Sequence, residues 1–133
     1  MTWVFTPDRP IYIQLREKLK LSIVSGQCPA GSKLSAVRDL AEEAAVNPNT
    51  VQRALTELER EGLVYTQRTN GRFVTEDINM IEKAKNELAM EIVGFFLMNM
   101  AAIGYDANET AKMISTASES RASSGVQTEG VVS

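Results

Sequence analysis

The sequence of 133 residues contains no histidine and only one cysteine, Cys28. The absence of histidine excludes Ser-His-Asp triads, histidine-ligated zinc sites and histidine general bases. A single cysteine cannot build a disulfide framework within the chain. The sequence also has no phosphate-binding G-x-x-x-x-G-K loop and no carboxylate pair in a glycine-rich context. We therefore predict that the protein is not an enzyme, and we predict no cofactor and no metal site.

A secretory leader and a long apolar run are also missing. Residues 1–10 include Trp3, Asp8 and Arg9, where a signal peptide would have an apolar core. The longest apolar stretch, residues 92–103, is interrupted by polar or small residues and is shorter than the roughly 20 residues that span a bilayer. We expect a cytoplasmic protein that does not enter a membrane.

The net charge is only −3, which by itself does not indicate a nucleic-acid partner. The charges are unevenly distributed, however. Residues 1–75 contain 10 Lys/Arg and 8 Asp/Glu, a net of +2, whereas residues 76–133 contain 4 and 9, a net of −5. This division fits a DNA-reading part joined to a part that does not read DNA, although chance also accounts for it.

The most informative stretch is VNPNTVQRALTELEREGL, residues 46–63. Asn47 is a suitable N-cap, Pro48 suits the first helical position, and Gly62 can end a helix in the left-handed conformation. Apolar residues recur at i, i+3, i+4 and i+7, which predicts one buried face. The opposite face begins with polar residues that suit base edges and phosphates in a major groove, although a solvated helix face explains them equally well. These residues are Asn49, Thr50, Gln52 and Arg53.

Two more helices are predicted before this stretch. The first covers residues 11–25 and ends at Gly26. Its apolar face is formed by Tyr12, Leu15, Leu19 and Ile23. The second covers residues 36–44 and leads through a short turn into the helix that follows Asn47, so the pair forms a helix-turn-helix. A plain helical hairpin in a core is the alternative.

A β-hairpin is predicted directly after the third helix. Residues 63–66 favour a strand, and Phe73-Val74 begins the return strand. Asn70-Gly71 indicates a two-residue type I′ turn, which needs φ > 0 at both positions. The tip of this hairpin suits a phosphate or a minor groove, although an ordinary hairpin closing the core is the alternative. The tip residues are Arg68, Thr69, Asn70 and Arg72. The order of elements predicts an α+β, mostly α, winged helix-turn-helix domain.

Segments within residues 10–75 resemble the DNA-binding domain of GntR-family bacterial transcription regulators. They are PIYIQ at 10–14, GSKL at 31–34, VRDLA at 37–41, VNPNTV at 46–51, AL at 54–55, LE at 58–59, EGL at 61–63 and GRFV at 71–74. The NPNT sequence and the short C-terminal region are similar to the YtrA-like subfamily. The resemblance implies a homodimeric repressor, often of transport operons, with a two-helix dimerisation region.

One segment departs from the family pattern. The family usually has Leu-Pro-Ser before the second helix, and the serine caps that helix. Here Leu34 is followed by Ser35 and Ala36, and an alanine side chain cannot cap. Ser35 is then the alternative candidate for the cap, one residue earlier in the chain. The change bears on the placement of Arg38, which matches the family arginine that reaches into the operator.

Two helices are predicted in the C-terminal part, at about residues 78–103 and 107–116. The second half of the longer helix, IVGFFLMNMAAI, is apolar nearly all round, and such a helix must be buried. Because the chain offers little to cover it, we predict a homodimer through Ile78–Thr116. Asp106 and Glu109 are predicted to form a capping box for the last helix.

We predict three regions: a winged-helix DNA-binding domain with an N-terminal arm at 1–75, an α-helical dimerisation region at 76–117, and a disordered tail at 118–133. The predicted function is sequence-specific transcription regulation by a homodimeric repressor of an inverted-repeat operator in double-stranded DNA. The alternative is a winged-helix protein-interaction module without operator binding. Any unknown small-molecule effector would bind between subunits or between the two regions, because two helices are too thin to enclose one.

The predicted DNA-binding residues have different roles. Arg38 and Gln52 are expected to read bases, with Asn49 as a further candidate, because Arg pairs with guanine and Gln or Asn with adenine. Thr50 is expected at a phosphate because its reach is short. Lys33 and Arg53 are phosphate candidates, with a solvated charge as the alternative for each. The predicted set is completed by Asn47, Arg68, Asn70, Gly71 and Arg72.

Overall fold

The computed structural model describes residues 3–124, which contain five helices and two strands. The elements are α1 (Ile11–Val24), α2 (Val37–Ala44), α3 (Pro48–Arg60), β1 (Val64–Gln67), β2 (Gly71–Val74), α4 (Ile78–Ala102) and α5 (Ala107–Ser124). The predicted α+β, mostly α, class is confirmed. The described residues fall into two compact units, and the boundary between them follows Glu87, inside α4. The functional division at residue 75 stays a prediction.

The core of the first unit lies between the apolar faces of α1 and α3 and is closed by the hairpin. α1 packs against α3, α2 packs against α3, and β1 follows α3 directly. The apolar side chains that are almost completely buried are Leu15, Leu19, Ile23, Val51, Leu55, Leu58, Leu63 and Val74. Three of the four residues predicted for the apolar face of α1 are therefore in the core. The exception is Tyr12, which is only half-buried.

The start of α3 has the predicted cap. The side-chain oxygen of Asn47 accepts a hydrogen bond of 2.8 Å from the backbone N–H of Asn49, and Pro48 is the first helical residue. At the other end, Gly62 has φ 82°, and Leu63 N–H donates to the Leu58 carbonyl. Both predicted ends of this helix are confirmed. An added Cβ at Gly62 would lie 2.7 Å from the Met80 sulfur, which is near the end of a flexible side chain, so the positive φ is what favours glycine at this turn.

The start of α2 has no side-chain cap. Ala36 occupies the N-cap position, and α2 begins at Val37. The Ser35 alternative is therefore wrong, because the backbone turns into the helix only after Ala36, whose carbonyl accepts the N–H of Leu40. Because α2 begins at Val37, Arg38 is the second residue of this uncapped helix, and its side chain is exposed.

The turn between α2 and α3 holds Ala45 in the left-handed conformation, at φ 56°. Val46 N–H donates to the Ala41 carbonyl and Ala45 N–H donates to the Glu42 carbonyl, which is the Schellman pattern of a helix end. That position usually has glycine, because a Cβ there approaches the following carbonyl oxygen and costs about 1–2 kcal/mol.

We expect Ala45→Gly to raise the free energy of unfolding by up to about 1 kcal/mol. The relief of the left-handed strain exceeds the roughly 0.5–1 kcal/mol that glycine costs through the entropy of the unfolded chain. Urea titration measures the change. The matched control is Ala89→Gly at an exposed position inside α4, which should lower the free energy of unfolding by about 1 kcal/mol. Equal losses in the two variants would contradict strain at Ala45.

The hairpin differs from the predicted one in its turn. β1 and β2 pair antiparallel with Gln67 opposite Gly71, so three residues, 68–70, connect them instead of two. Asn70 N–H donates to the Gln67 carbonyl at 3.0 Å, and Asn70 does not have a positive φ. The type I′ prediction is wrong because that turn needs φ > 0 at both positions. Only Gly71, at φ 101°, has the positive φ here.

α4 begins at a cap and is partly buried in the first unit. The Asp77 carboxylate accepts a hydrogen bond from Met80 N–H, and Ile81 and Ala84 are buried. These contacts explain why the first unit extends beyond the predicted boundary at residue 75 to Glu87.

The second unit contains the rest of α4 and α5. The predicted capping box is confirmed: Asp106 N–H donates to Glu109, and Glu109 N–H donates to Asp106. α5 continues to Ser124, past the predicted end at residue 116, because residues 117–124 contain no glycine or proline that would stop it. The predicted disordered tail therefore begins inside α5, and its part from residue 125 lies outside the described residues.

The apolar second half of α4 remains exposed in the single chain. Phe95 is 66% exposed, Met98 63% and Ile103 70%. Within residues 3–124, no single helix is long and apolar enough to cross a membrane, although α4 and α5 pass that test together as a bent pair, by length and composition alone.

Candidate nucleic-acid interface

The first turns of α3 present polar side chains to solvent. Asn49, Gln52 and Arg53 are exposed and spaced by three and four residues, so they share one face of the helix, with Thr50 half-buried beside them. Within the described residues, the side chains of Asn49 and Gln52 have no hydrogen-bond partner. Their amide groups therefore keep both donors and acceptors available for base edges.

An open pocket of about 270 Å³ lies between the starts of α1 and α3. It is lined by Ile11, Tyr12, Asn49, Thr50 and Arg53. The structure thus brings together three of the predicted residues of α3 and adds two residues of α1. No carboxylate lines this pocket. Residues 3–124 also contain no group of three acidic or cysteine side chains that could hold a metal ion.

Ion pairs divide the cations of the first unit into two sets. The pairs within residues 3–75 are Arg9–Glu17, Arg16–Glu61, Lys20–Glu61, Arg60–Glu57 and Arg72–Glu59. Among the described cations up to residue 75, four predicted DNA-binding residues have no carboxylate partner: Lys33, Arg38, Arg53 and Arg68. Their charges are not neutralised by the protein, so they remain available to phosphates.

The wing contains more than the predicted hairpin. Residues 32–34 run along β2: Leu34 N–H donates to the Arg72 carbonyl, and Val74 N–H donates to the Ser32 carbonyl. This pairing places the Lys33 side chain next to the turn, with its Cε 3.2 Å from the point where a Cβ on Gly71 would lie. Lys33 and Gly71 are therefore neighbours at the wing, which their separation in sequence did not show.

Arg72 is partly occupied within the protein. Its Nε donates to the Glu59 carboxylate at 2.8 Å, and the Thr66 hydroxyl donates to the same oxygen at 2.7 Å. Burial raises the pKa of Glu59, but the hydrogen bonds from Thr66 and Arg72 outweigh it and hold the pKa below its ordinary value. Arg72 thus ties the wing to α3, and its predicted contact with DNA stays a prediction.

The remaining predicted residues lie apart from the pocket. Asn47 uses its side-chain oxygen to cap α3, so its amide nitrogen is the part left for another partner. Arg68 lies in the exposed wing turn, and Asn70 beside it donates to the Gln67 side chain at 3.1 Å. Arg38 is exposed at the start of α2, and within the described residues no hydrogen bond joins it to the wing or to the pocket.

Two residues with a role near this surface were not identified from the sequence. Tyr12, predicted as core, places its ring under the Arg53 guanidinium. Gln14 is buried and holds the N-terminal arm: its amide donates to the carbonyls of Thr6 and Arg9. For Tyr12, the available signal was a hydroxyl on a predicted apolar helix face, whereas Gln14 was noted only as part of the PIYIQ segment.

A second cluster joins α1 to the end of α3. Glu61 accepts hydrogen bonds from Arg16 at 2.7 Å and from Lys20 at 2.9 Å. Burial raises the pKa of Glu61, but the hydrogen bonds from Lys20 and Arg16 outweigh it, so the pKa lies below its ordinary value of 4.5. This cluster fixes α3 against α1.

The Glu61 cluster should make stability depend on pH. Because the folded pKa is lowered, its contribution is present above about pH 4.5 and is lost as the pH falls through the folded pKa. We expect Glu61→Gln to be less stable than the wild type at pH 7, by no more than about 1 kcal/mol. The difference should shrink toward zero below pH 4.5 in urea titrations at several pH values. A constant difference from pH 7 to pH 3 would contradict this.

A helix-turn-helix followed by a wing, with unneutralised cations on both, defines a winged helix-turn-helix DNA-binding protein. The family model described as "Bacterial regulatory proteins, gntR family" matches residues 11–74. The chain belongs to the GntR family, whose members are transcription regulators and not enzymes. The prediction that this protein is not an enzyme is confirmed by that membership.

Two curated relatives support the assignment. The chain is 34% identical over 115 residues to the "Uncharacterized HTH-type transcriptional regulator YhcF" of Bacillus subtilis, which covers 86% of this chain and 95% of that protein. It is 43% identical over 68 residues to the "HTH-type transcriptional repressor YtrA" of the same organism, which covers 51% of this chain and 52% of YtrA. The chain thus spans about half the length of YtrA, and the predicted YtrA-like subfamily fits.

Two solved structures are similar to this fold. A "GntR family transcriptional regulator from Listeria monocytogenes" has a TM-score of 0.79 at 36% identity, covering 84% of this chain and 98% of that chain. The DNA-binding domain of AraR, solved in complex with operator ORX1, has a TM-score of 0.51 at 25% identity, covering 54% of this chain and 93% of that chain. The winged-helix prediction is confirmed.

Proposed function

We propose that this GntR-family transcription regulator is a homodimeric repressor that binds an inverted-repeat operator. The observation that carries the proposal is the set of four cations, on α2, α3 and the wing, that no carboxylate of residues 3–124 neutralises. The repressor role is supported by the name of the relative YtrA.

The inverted repeat follows from two-fold symmetry. A homodimer presents the same recognition helix, α3, twice, and each copy enters one major groove. If the two copies lie on one face of the duplex, the half-sites are about 34 Å apart or a multiple of that distance. The partner surface in this proposal is the exposed apolar part of α4 and α5, where a second copy would bury side chains such as Phe95 and Ile114.

The roles of the contact residues remain as predicted from the sequence. Arg38 and Gln52 read bases, with Asn49 as a further candidate, because all three side chains are exposed. Thr50, half-buried at the start of α3, binds a phosphate together with Arg53. The wing contributes Lys33 and Arg68, whose charges are unneutralised, whereas Arg72 contributes only the guanidinium nitrogens that Glu59 does not occupy.

Selection of duplexes from a random pool, followed by footprinting, tests this function. We expect an enriched inverted repeat, two symmetric protected halves, and an affinity that falls steeply as salt is raised. A single asymmetric protected half would contradict the dimeric operator. If no sequence is enriched and duplex binding does not depend on salt, the protein is instead a winged-helix interaction module.

A further inference from the structure

The Arg53 guanidinium stacks on the Tyr12 ring across the contact between α3 and α1. The central guanidinium carbon lies 3.7 Å from the centre of the ring. Tyr12 is half-buried in the first turn of α1, whereas Arg53 is exposed on α3. An arginine side chain on a solvated helix face normally samples several rotamers. Here the contact with the Tyr12 ring favours one position of the Arg53 guanidinium.

The glutamates near this pair are bound to other arginines. Glu57, four residues after Arg53, accepts from Arg60 at 2.9 Å. Glu61 holds Arg16, which is four residues after Tyr12. The open pocket beside the stacked pair is lined by no acidic residue. The positive charge of Arg53 therefore faces a concave, carboxylate-free surface.

Stacking leaves the hydrogen-bonding capacity of the guanidinium intact. The ring covers one face of the planar group, while the five N–H donors point outward along its edges. Holding the flat group in place also removes conformational freedom that it would otherwise lose on binding DNA. Lysine cannot reproduce this arrangement, since its ammonium has no planar face and is more strongly hydrated.

We propose that Tyr12 is a positioning residue for DNA binding: its ring holds the Arg53 guanidinium at the pocket between α1 and α3, where Arg53 binds a DNA phosphate. The inference rests on the proposed function and adds a residue of α1 to the phosphate contacts that position α3 on the operator. Asn49 and Thr50, which line the same pocket, lie beside the phosphate in this arrangement.

The test uses the full chain and two duplexes, the selected operator and a scrambled duplex of equal length, at several salt concentrations. Arg53→Ala should weaken both duplexes by a similar factor and reduce the salt slope by about one unit, the loss of one phosphate contact. Tyr12→Leu leaves every charge in place but should still weaken both duplexes, roughly two- to fivefold. Tyr12→Phe, which keeps the ring, should restore what Tyr12→Leu loses.

Two further variants separate positioning from folding. Arg53→Lys leaves Tyr12 intact and keeps the charge, yet it should weaken binding about as much as Tyr12→Leu. In the double variant, Tyr12→Leu should cost little more once Arg53→Ala is present, because the ring then has nothing to position. Urea titration of each variant identifies any loss that comes from unfolding.

Two kinds of result would contradict the inference, and they differ in what they imply for the proposed function. Wild-type affinity in both Tyr12→Leu and Arg53→Lys, or losses from Tyr12→Leu and Arg53→Ala that add in full, would overturn the positioning role while leaving operator binding in place. A wild-type protein without salt-dependent duplex affinity would instead remove the proposed function, and the role of Tyr12 with it.

Discussion

Arg38→Ala is expected to lower the affinity for the selected operator by about one to two orders of magnitude while hardly changing the affinity for unrelated duplexes. Arg38 is exposed, has no carboxylate partner among the described residues and stands second in α2, a helix without a side-chain cap. A guanidinium that pairs with guanine contributes about 1–3 kcal/mol of discrimination, which corresponds to this loss. The preference at one position of each half-site should relax, as measured by competition with single-base operator variants.

Two arginine variants serve as controls for Arg38→Ala. Arg9→Ala removes a guanidinium that is 47% exposed but paired with Glu17 of α1, and it should change neither affinity nor preference. Arg68→Ala removes an unneutralised charge of the wing turn, so all duplexes should weaken alike and the salt slope should fall by about one unit. Arg68 is the better phosphate probe than Arg72, because Arg72→Ala would also break the contact with Glu59. Uniform weakening by Arg38→Ala together with an altered base preference in Arg68→Ala would reverse the assigned roles.

Phe95→Glu is expected to convert the dimer into a monomer and to reduce operator affinity to that of a single half-site. Phe95 is 66% exposed in the single chain, within a run of α4 that is apolar nearly all round. Burying a side chain of this size contributes about 1.5–3 kcal/mol, and a carboxylate in its place would have to be desolvated without a partner. Light scattering at micromolar concentration measures the mass, and titration of the operator measures the affinity.

The matched control for Phe95→Glu is Asn86→Glu, which introduces the same charge at an exposed polar position of the same helix. This variant should remain dimeric and bind the operator as the wild type does. A wild-type protein that is monomeric at micromolar concentration would refute the dimer outright. A Phe95→Glu variant that stays dimeric would move the partner surface away from this part of α4.

Local signals identified the helix ends with few errors. The Asn47 cap followed by Pro48, the stop at Gly62 and the Asp106–Glu109 box all depend on side chains within a few residues of the backbone groups that they satisfy. Such interactions require no knowledge of the rest of the chain. The resemblance to the GntR family depended on the same short segments, and it extended from the fold to the class of function.

Apart from the start of α2 and the end of α5, the sequence was least informative where distant segments meet. The hairpin has a three-residue connection without a type I′ turn, and β2 also pairs with residues 32–34, far back in the chain. The first compact unit extends into α4, as far as Glu87, because Ile81 and Ala84 are buried in it. Periodicity placed Tyr12 on the apolar face of α1 but could not show that α3 would set Arg53 on its ring.

The order of the elements, the position of α3 and the cations from which a DNA surface can be built were all predictable without the structure. These follow from periodicity, capping and turn residues, which act over a few residues. Which of these cations remain unneutralised was visible only in the packed fold. Arg16, Lys20 and Arg72 are paired with glutamates of the α3 end, whereas Lys33, Arg38, Arg53 and Arg68 have no carboxylate partner among the described residues. An ion pair between different elements depends on how those elements pack, and their packing brings together residues far apart in the sequence.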